Sequence, residues 1–172
     1  FSVPDPTPQL IKVAESAKEA SISLGQSTNE QRREALTEMA NALNGNADEI
    51  LKANVQDLER SEKEGLNKSL LSRLQLTKTK LKGCIDGVLK VSNLADPIGK
   101  RQLHRELDEN LILERVTVPL GVLGVIFESR PDALIQIASL AVRSGNGALL
   151  KGGSEAKDTN QAIMDSLDKG LR

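Results

Sequence analysis

Apolar residues recur at helical spacing through the first half of the chain. From residue 7 to residue 94, short segments repeat apolar side chains every three or four positions, which is typical of helices with one buried face. Thr7 followed by Pro8 predicts the first helix start, because proline at this position gives up an N–H that has no helical partner. Gly25 predicts the end of this helix. The residues predicted to face inward are Leu10, Ile11, Ala14 and Ala17.

The next helix starts are predicted at residues that favour helix caps. Ser27 with Glu30 fits a capping box, in which each side chain bonds the backbone of the other residue. Asn46, Asn67 and Thr77 predict three further starts. The simplest interpretation of all these apolar stripes is packing in a core. The third helix is predicted to have a mixed face with Ile50, Leu51, Asn54 and Leu58, and the fourth is a short helix around Leu70, Leu71 and Leu74. The apolar stripes of the second and fifth helices are Ala35, Leu36, Met39, Ala40 and Leu43, and Leu81, Cys84, Ile85, Val88 and Leu89.

The pattern changes after Asp96-Pro97. Leu111–Val118 is rich in β-branched residues and predicts a strand. Val122–Phe127 is a continuous apolar run, as expected for a strand buried on both faces of a parallel sheet. Pro131 is predicted to start a helix that keeps a broad apolar face, including Leu140 and Ala141, through Arg143. It is followed by a turn at 144–147, a short buried strand at Ala148–Lys151, and a helix from Ser154 or Glu155 to about Leu167.

This order of strand, helix, strand and helix predicts a parallel β-α-β unit, since parallel neighbours need a crossover connection. Ligands of such sheets bind beyond the carboxyl ends of the strands. Two polar segments are predicted there, Glu128–Asp132 after the first strand and Lys151–Glu155 after the second.

The Lys151–Glu155 turn combines residue types that suit a phosphate or a ribose. Gly152 and Gly153 allow close backbone approach, the helix start offers free N–H groups, and lysine adds a full charge. Glu155 either accepts hydrogen bonds from ribose hydroxyls or caps the helix. The segment is neither a Walker A loop nor a GxGxxG fingerprint. An ordinary turn with a solvated lysine explains these residues equally well.

Arg130 follows the other strand. Its planar guanidinium suits a bidentate grip on a carboxylate or phosphate. A salt bridge to Glu128 or Asp132 is an equally good interpretation of the same residues.

Composition excludes several other function classes. A formal net charge of −1 and two phenylalanines as the only aromatic residues argue against a nucleic-acid surface. Cys84 and His104 are each the only residue of their type, so we expect no disulfide, metal site or Cys-His dyad. Cys84 lies on an apolar stripe and is expected to be inert packing, whereas His104 is expected to be solvated. We expect no membrane span and no signal peptide in Phe1–Leu10, and hence a cytoplasmic or organelle-matrix protein.

The segment from Val118 to Ala156 carries a more specific signal. Its FESRPD, SGNG and LLKGGSEA motifs together resemble γ-glutamyl phosphate reductase, a branch of the aldehyde dehydrogenase superfamily. The similarity extends upstream through NALNGNADEILKANVQDL, LLSRLQLTKTKL and LADPIG. The family includes free-standing enzymes and the reductase half of pyrroline-5-carboxylate synthase. The resemblance implies NADPH-dependent reduction of L-glutamyl 5-phosphate to L-glutamate 5-semialdehyde with release of phosphate, in proline biosynthesis.

The implied fold is α/β, with a helical region at 7–94, an oligomerisation arm at 101–118 and an incomplete Rossmann-like β-α-β-α cofactor unit at 119–172. On this view residues 1–172 are the N-terminal part of the cofactor domain. The resemblance further implies a homo-oligomer and a functional link to glutamate 5-kinase.

Site residues follow from the same resemblance. Lys151 matches the lysine that contacts the adenosine ribose or its 2′-phosphate, and Glu155 matches an acidic residue that holds ribose hydroxyls in relatives that prefer NAD. Ser154 stands where close relatives often have lysine, so the preference for NADPH over NADH stays open. Ser129 falls near the oxyanion asparagine of ordinary aldehyde dehydrogenases. A contact between Arg130 and the substrate phosphate is our own inference from its chemistry.

The family's nucleophilic cysteine is expected downstream of the LLKGGSEA strand, beyond Arg172, while Cys84 lies upstream of it. We therefore expect no catalytic nucleophile in this chain and no activity of the chain alone. A truncated binding or assembly module and an aldehyde dehydrogenase of other acyl specificity are the alternatives. The FESRPD and KGGSEA motifs argue against the second alternative.

Overall fold

The computed structural model describes residues 5–171. Residue 172 and residues 1–4, the start of the segment in which we expect no signal peptide, lie outside this range. The described residues form seven α-helices and four β-strands. The helices are α1 (Pro8–Gly25), α2 (Asn29–Gly45), α3 (Ala47–Lys63), α4 (Lys68–Leu74), α5 (Lys78–Ser92), α6 (Pro131–Arg143) and α7 (Lys157–Leu171). The strands are β1 (Arg101–Asp108), β2 (Leu111–Val116), β3 (Val122–Ile126) and β4 (Gly147–Lys151).

Most helix starts lie where local sequence predicted them. Thr7, Asn67 and Thr77 each accept a hydrogen bond from the backbone N–H three residues on, at 3.3, 2.9 and 3.2 Å. These side chains satisfy donors that the first turn of a helix leaves without partners, which explains why the predictions are confirmed. Asn46 also precedes a helix, α3, but its amide donates to the carbonyl of Ala42 at 2.8 Å and does not cap α3.

The capping box of α2 lies one residue later than predicted. Thr28 Oγ1 accepts the N–H of Gln31 at 3.2 Å, and Gln31 Oε1 accepts the N–H of Thr28 at 2.8 Å. The prediction of Ser27 with Glu30 was therefore wrong by one position. Both pairs fit the same sequence rule, and the Ser27 hydroxyl instead donates to the carbonyl of Leu24 at the end of α1.

One hydrophobic core lies between helices α2, α3, α5, α6 and α7. Its buried members include Leu36, Met39, Ala40, Leu43, Ile50, Leu81, Ile85, Val88, Leu134, Ile135, Ile163 and Leu167. The predicted stripes of α2 and α5 are confirmed as core, except that Ala35 is half-buried outside the core cluster and Leu89 is exposed. Leu140 of α6 is exposed as well, so the predicted apolar face of that helix is narrower than expected.

Among residues 5–171, nothing covers the apolar face at the start of α1. Leu10 and Ile11 are both exposed, which contradicts their predicted inward position. Among the described residues, helix α1 packs mainly against β3 and β4, through its middle and C-terminal part, where Ser21 is buried beside Gly147. An amphipathic pattern identifies the apolar face of a helix but not the element that covers it.

Strands β3 and β4 pair in parallel, with Val122 opposite Gly147 and Ile126 opposite Lys151. Helix α6 forms the crossover between them, so the predicted β-α-β-α order is confirmed. The prediction that the first strand is buried on both faces is wrong for this chain, because the side chain of Ile126 is 77% exposed. Among the described residues this sheet has only two strands, so much of the surface of β3 has no neighbour to cover it.

Strands β1 and β2 form an antiparallel hairpin whose residues are all exposed. The pairing runs from Arg101 opposite Val116 to Asp108 opposite Leu111. Strand β2 therefore ends two residues before the predicted end at Val118.

Within residues 5–171, no helix combines the length and the hydrophobicity that a membrane crossing requires.

A buried arginine fixes the connection between α5 and β1. Arg32 is buried and donates from Nη2 to both carboxylate oxygens of Asp96 at 2.8 Å, while the N–H of Ile98 donates to Asp96 Oδ1 at 3.0 Å. Partial burial by itself raises the pKa of Asp96, but the hydrogen bonds from Ile98 and Arg32 outweigh it and lower that pKa. The Asp96-Pro97 segment, where the sequence pattern changes, is thus held in place by the ion pair between Asp96 and Arg32.

Candidate functional site

The two polar segments predicted at strand ends lie side by side in the fold. Ile126 and Lys151 are paired at the carboxyl ends of β3 and β4, and the N–H of Phe127 donates to the carbonyl of Lys151 at 3.1 Å. Glu128–Asp132 and Lys151–Glu155 leave the sheet from this common edge. In a parallel sheet this edge is the usual position of a ligand site.

The turn after β4 needs both of its glycines for space. A Cβ on Gly152 would overlap the side chain of Asn160 and lie 3.3 Å from Phe127 Cε2. A Cβ on Gly153 would overlap the carboxylate of Glu155. The turn continues as a short 3₁₀ helix, Ser154–Ala156, directly into α7. The side chain of Lys151 is exposed at the start of this turn, as is that of Ser154.

Glu155 reaches across from this turn to the loop after β3. Its Oε1 accepts the backbone N–H of Ser129 at 2.5 Å and the Ser129 hydroxyl at 2.9 Å. Partial burial alone raises the pKa of Glu155, but its own N–H, the two Ser129 donors and the charge of Lys151 together lower it. Glu155 is therefore a carboxylate at neutral pH. Sequence reasoning missed this contact, since 26 residues separate the partners and neither segment contains a pairing pattern.

Ser129 itself has an unusual backbone. It is 3% exposed and has a φ of 45°, in the left-handed region that residues with a Cβ seldom adopt. Its hydroxyl proton points at Glu155 in this structure. The predicted oxyanion role of Ser129 stays a prediction, and it would require this hydrogen bond to be exchanged.

Arg130 lies on the surface of the same loop. Its Nη2 donates to Asp132 Oδ2 at 3.0 Å, so the salt bridge weighed as an alternative is present. The hydrogen bond to Asp132, followed by the charge of that carboxylate, raises the pKa of Arg130. The arginine side chain is 57% exposed, and an exposed pair of this kind is worth on the order of 1 kcal/mol or less. An anionic ligand can therefore compete with Asp132 for the guanidinium.

A buried carboxylate holds the start of α7 from behind the turn. Asp57 on α3 is 0% exposed, and its Oδ2 accepts the N–H of Thr159 at 2.7 Å and the Thr159 hydroxyl at 2.6 Å. Its Oδ1 accepts the N–H of Asp158 at 3.3 Å and pairs with the guanidinium of Arg60. Because α7 begins directly after the 3₁₀ turn, this anchor fixes the position of the Lys151–Glu155 segment.

Comparison with known proteins decides the family. No protein-family model matches the chain. The gamma-glutamyl phosphate reductase of Prochlorococcus marinus strain NATL1A is 96% identical over 172 residues, which are 100% of this chain and 39% of that protein. The chain belongs to the γ-glutamyl phosphate reductase family. The enzyme of that name from Synechococcus sp. strain CC9902 is 61% identical over 170 residues, 99% of this chain and again 39% of the relative. The chain thus spans about two fifths of the length of these curated relatives.

Solved structures of the family share the fold. Gamma-glutamyl phosphate reductase from Saccharomyces cerevisiae matches 97% of this chain and 42% of its own, at a TM-score of 0.92 and 39% identity. The enzyme of that name from Thermotoga maritima matches 94% of this chain and 39% of its own, at 0.90 and 34%. The α/β fold predicted from the family resemblance is therefore confirmed.

The cysteine of this γ-glutamyl phosphate reductase family member lies beside an open cavity. Helices α5 and α6 enclose about 510 Å³ between them, lined by residues that include Cys84, Lys80, Asp132 and Leu140. Cys84 is half-buried, and burial, followed by the charge of Asp132, raises the pKa of its thiol despite the nearby Lys80. The neutral thiol this favours is a poor nucleophile. The sequence placed Cys84 on a packed stripe but gave no sign of the cavity.

His104 lies on the exposed hairpin, where its Nδ1 is 2.8 Å from Glu114 Oε1. The expectation that His104 is solvated is confirmed, because its side chain is exposed. Among residues 5–171, no three His, Cys, Asp or Glu side chains are grouped so as to hold a metal ion.

Proposed function

We propose that this chain takes part in the NADPH-dependent reduction of L-glutamyl 5-phosphate to L-glutamate 5-semialdehyde, with release of phosphate, in proline biosynthesis. The observation that carries the proposal is the pairing of an exposed lysine turn with an exposed arginine at one sheet edge, in a chain 96% identical to a protein named gamma-glutamyl phosphate reductase. One segment would take the cofactor, and the other the acyl phosphate.

The Lys151–Glu155 turn fits the adenosine side of a nicotinamide dinucleotide. The side chain of Lys151 is exposed and its ammonium donates no hydrogen bond within residues 5–171, so this ammonium is available to a ribose or a 2′-phosphate. Gly152 and Gly153 have no side chains of their own, and the space beside them is taken by the side chains of Asn160 and Glu155. When bound, NADPH supplies the hydride for the reduction. Ser154 adds no charge, so Lys151 carries the electrostatic part of any 2′-phosphate recognition.

Arg130 is the proposed contact for the phosphate of the substrate. Guanidinium offers five N–H donors, and within residues 5–171 that of Arg130 donates one hydrogen bond, to Asp132. A doubly charged phosphate would be a stronger acceptor than the half-buried carboxylate of Asp132. This role makes Glu128–Asp132 one wall of the substrate pocket.

The nucleophile is proposed to come from outside this chain. The reaction class needs a thiolate, whereas Cys84, the only cysteine, has a thiol that its surroundings keep protonated. The chain alone is therefore proposed to hold binding elements without the attacking group.

The β1–β2 hairpin is the proposed assembly surface. Its strands expose Leu103, Leu107, Leu111, Ile112, Leu113 and Val116, an unusual amount of apolar side chain for a free edge. We propose that the hairpin pairs with the hairpin of a second copy. In this proposal the chain consists of a helical region at 7–94, the hairpin arm at 101–118 and the cofactor unit at 119–172.

Glutamate 5-kinase, which forms the acyl phosphate, is the proposed supplier of substrate.

Kinetics of the full-length protein test the cofactor assignment. Lys151→Ala is expected to raise the KM for NADPH by about tenfold or more, since one charged contact is worth about 1.5–3 kcal/mol. The KM for glutamyl phosphate should change much less. Lys157→Ala, which removes another exposed lysine six residues later, is the matched control. Equal NADPH constants in the Lys151 and Lys157 variants would remove Lys151 from the cofactor site.

A further inference from the structure

Glu155 joins the two strand-end segments through one oxygen. Its Oε1 accepts both Ser129 donors, at 2.5 and 2.9 Å. Its Oε2 accepts no hydrogen bond from another residue within 5–171. The carboxylate folds back over Gly153, where any Cβ would displace it. The absence of a side chain at Gly153 is thus what lets Glu155 reach the neighbouring loop.

The loop after β3 depends on this contact for its shape. Beyond Phe127, whose N–H donates to the carbonyl of Lys151, the bonds to Glu155 are the only hydrogen bonds that tie residues 128–132 to another element among the described residues. Arg130, at the N-cap position of α6, forms no side-chain cap. Ser129, with its left-handed φ of 45°, costs backbone energy that needs a compensating interaction. A charge-assisted pair of hydrogen bonds to a partly buried carboxylate provides one.

We propose that Glu155 is a positioning residue that fixes Ser129 and thereby places Arg130 for the substrate. The role assigned to Arg130 rests on the proposed function. Glu155 then acts mainly on the substrate side, although it belongs to the turn that would bind the cofactor. The Ser129 hydroxyl donates to Glu155 in this structure, so an oxyanion contact from this hydroxyl would require the bond to Glu155 to be broken.

The contact itself is tested by NMR on the ¹⁵N-labelled 172-residue chain. The Ser129 amide resonance should shift with pH as Glu155 ionises, below the ordinary glutamate range because the pKa of Glu155 is lowered. Glu155→Gln should abolish this pH dependence. Asp165→Asn, which removes an exposed carboxylate on α7, should leave it intact. A Ser129 amide whose titration is the same in the Glu155 variant and in the parent chain would overturn the proposal.

The consequence is tested by kinetics of the full-length protein. Glu155→Gln and Ser129→Ala should each raise the KM for glutamyl phosphate or lower kcat by about tenfold, and the two effects should not multiply in the double variant. The KM for NADPH should change much less. A change confined to the NADPH constant, or effects that multiply, would overturn the proposal. A parent enzyme without NADPH-dependent activity would instead overturn the proposed function, and the amide titration would still decide whether Glu155 holds Ser129.

Discussion

Replacement of Asp57 by alanine is expected to loosen the base of the cofactor turn. Asp57 is buried on α3 and accepts the N–H and the hydroxyl of Thr159, at 2.7 and 2.6 Å. Thr159 is itself buried, so water cannot easily replace the lost carboxylate. The substitution therefore leaves two buried donors without their acceptor, at the start of the helix that follows the Lys151 turn.

The magnitude follows from these contacts. A buried donor left without a partner costs about 1–3 kcal/mol, which gives a range of about 2–6 kcal/mol for the two Thr159 groups. Arg60 is 37% exposed, so loss of its pairing with Asp57 adds on the order of 1 kcal/mol or less. Since Thr159 can partly relax, we expect a loss of about 3 kcal/mol. For a chain of this size, that loss lowers Tm by about 6–12 °C.

Urea denaturation of the 172-residue chain, followed by circular dichroism, measures this loss directly. Glu59→Ala on the same helix removes an exposed carboxylate and should change the free energy of unfolding by about 0.5 kcal/mol or less. The loss in free energy of unfolding should therefore be several-fold larger for Asp57→Ala than for Glu59→Ala. Equal effects, or a loss below about 1 kcal/mol for Asp57→Ala, would refute the role given to this anchor.

Three further predictions follow from the charged residues and the cysteine. Arg130→Ala in the full-length protein should raise the KM for glutamyl phosphate about tenfold in steady-state assays with little change for NADPH; the reverse pattern would contradict its assignment. Asp96→Asn should cost about 2 kcal/mol at pH 7, because it replaces the charged acceptor of the buried Arg32 by a neutral one. Since the pKa of Asp96 is lowered, the parent chain should keep this stability above the ordinary aspartate pKa and lose it as pH falls below that value. Denaturation curves should show that the Asp96→Asn variant loses less free energy of unfolding than the parent chain over this pH range. Equal losses in the two proteins would contradict the argument. The purified 172-residue chain should consume no NADPH with glutamyl phosphate, and measurable reduction would show that Cys84 or another group acts as the nucleophile.

Local structure followed closely from sequence because its causes are local. The caps at Thr7, Asn67 and Thr77 each involve a side chain and an N–H three residues away, so a short window contains the whole interaction. The error at α2 has the same origin, since Ser27-Glu30 and Thr28-Gln31 fit one rule and only the path of the chain selects between them.

Burial and long-range contacts were less predictable. The apolar residues Leu10 and Ile126 were expected inside and are exposed, because a pattern shows which face is apolar but not which element covers it. The bond between Asp57 and Thr159 spans 102 residues. Nothing in either local segment marks that pair, although each residue lies in a stretch whose helix was correctly predicted. The strand-end position of the Lys151 turn was predictable, whereas its connection to Ser129 was not.

The most direct test of the account is the reaction of the full-length protein with both proposed substrates. Purified protein should oxidise NADPH only when L-glutamyl 5-phosphate is present, and should release one phosphate for each NADPH consumed. NADPH oxidation that does not depend on the acyl phosphate, or acyl phosphate loss without NADPH oxidation, would contradict the proposed reductase function.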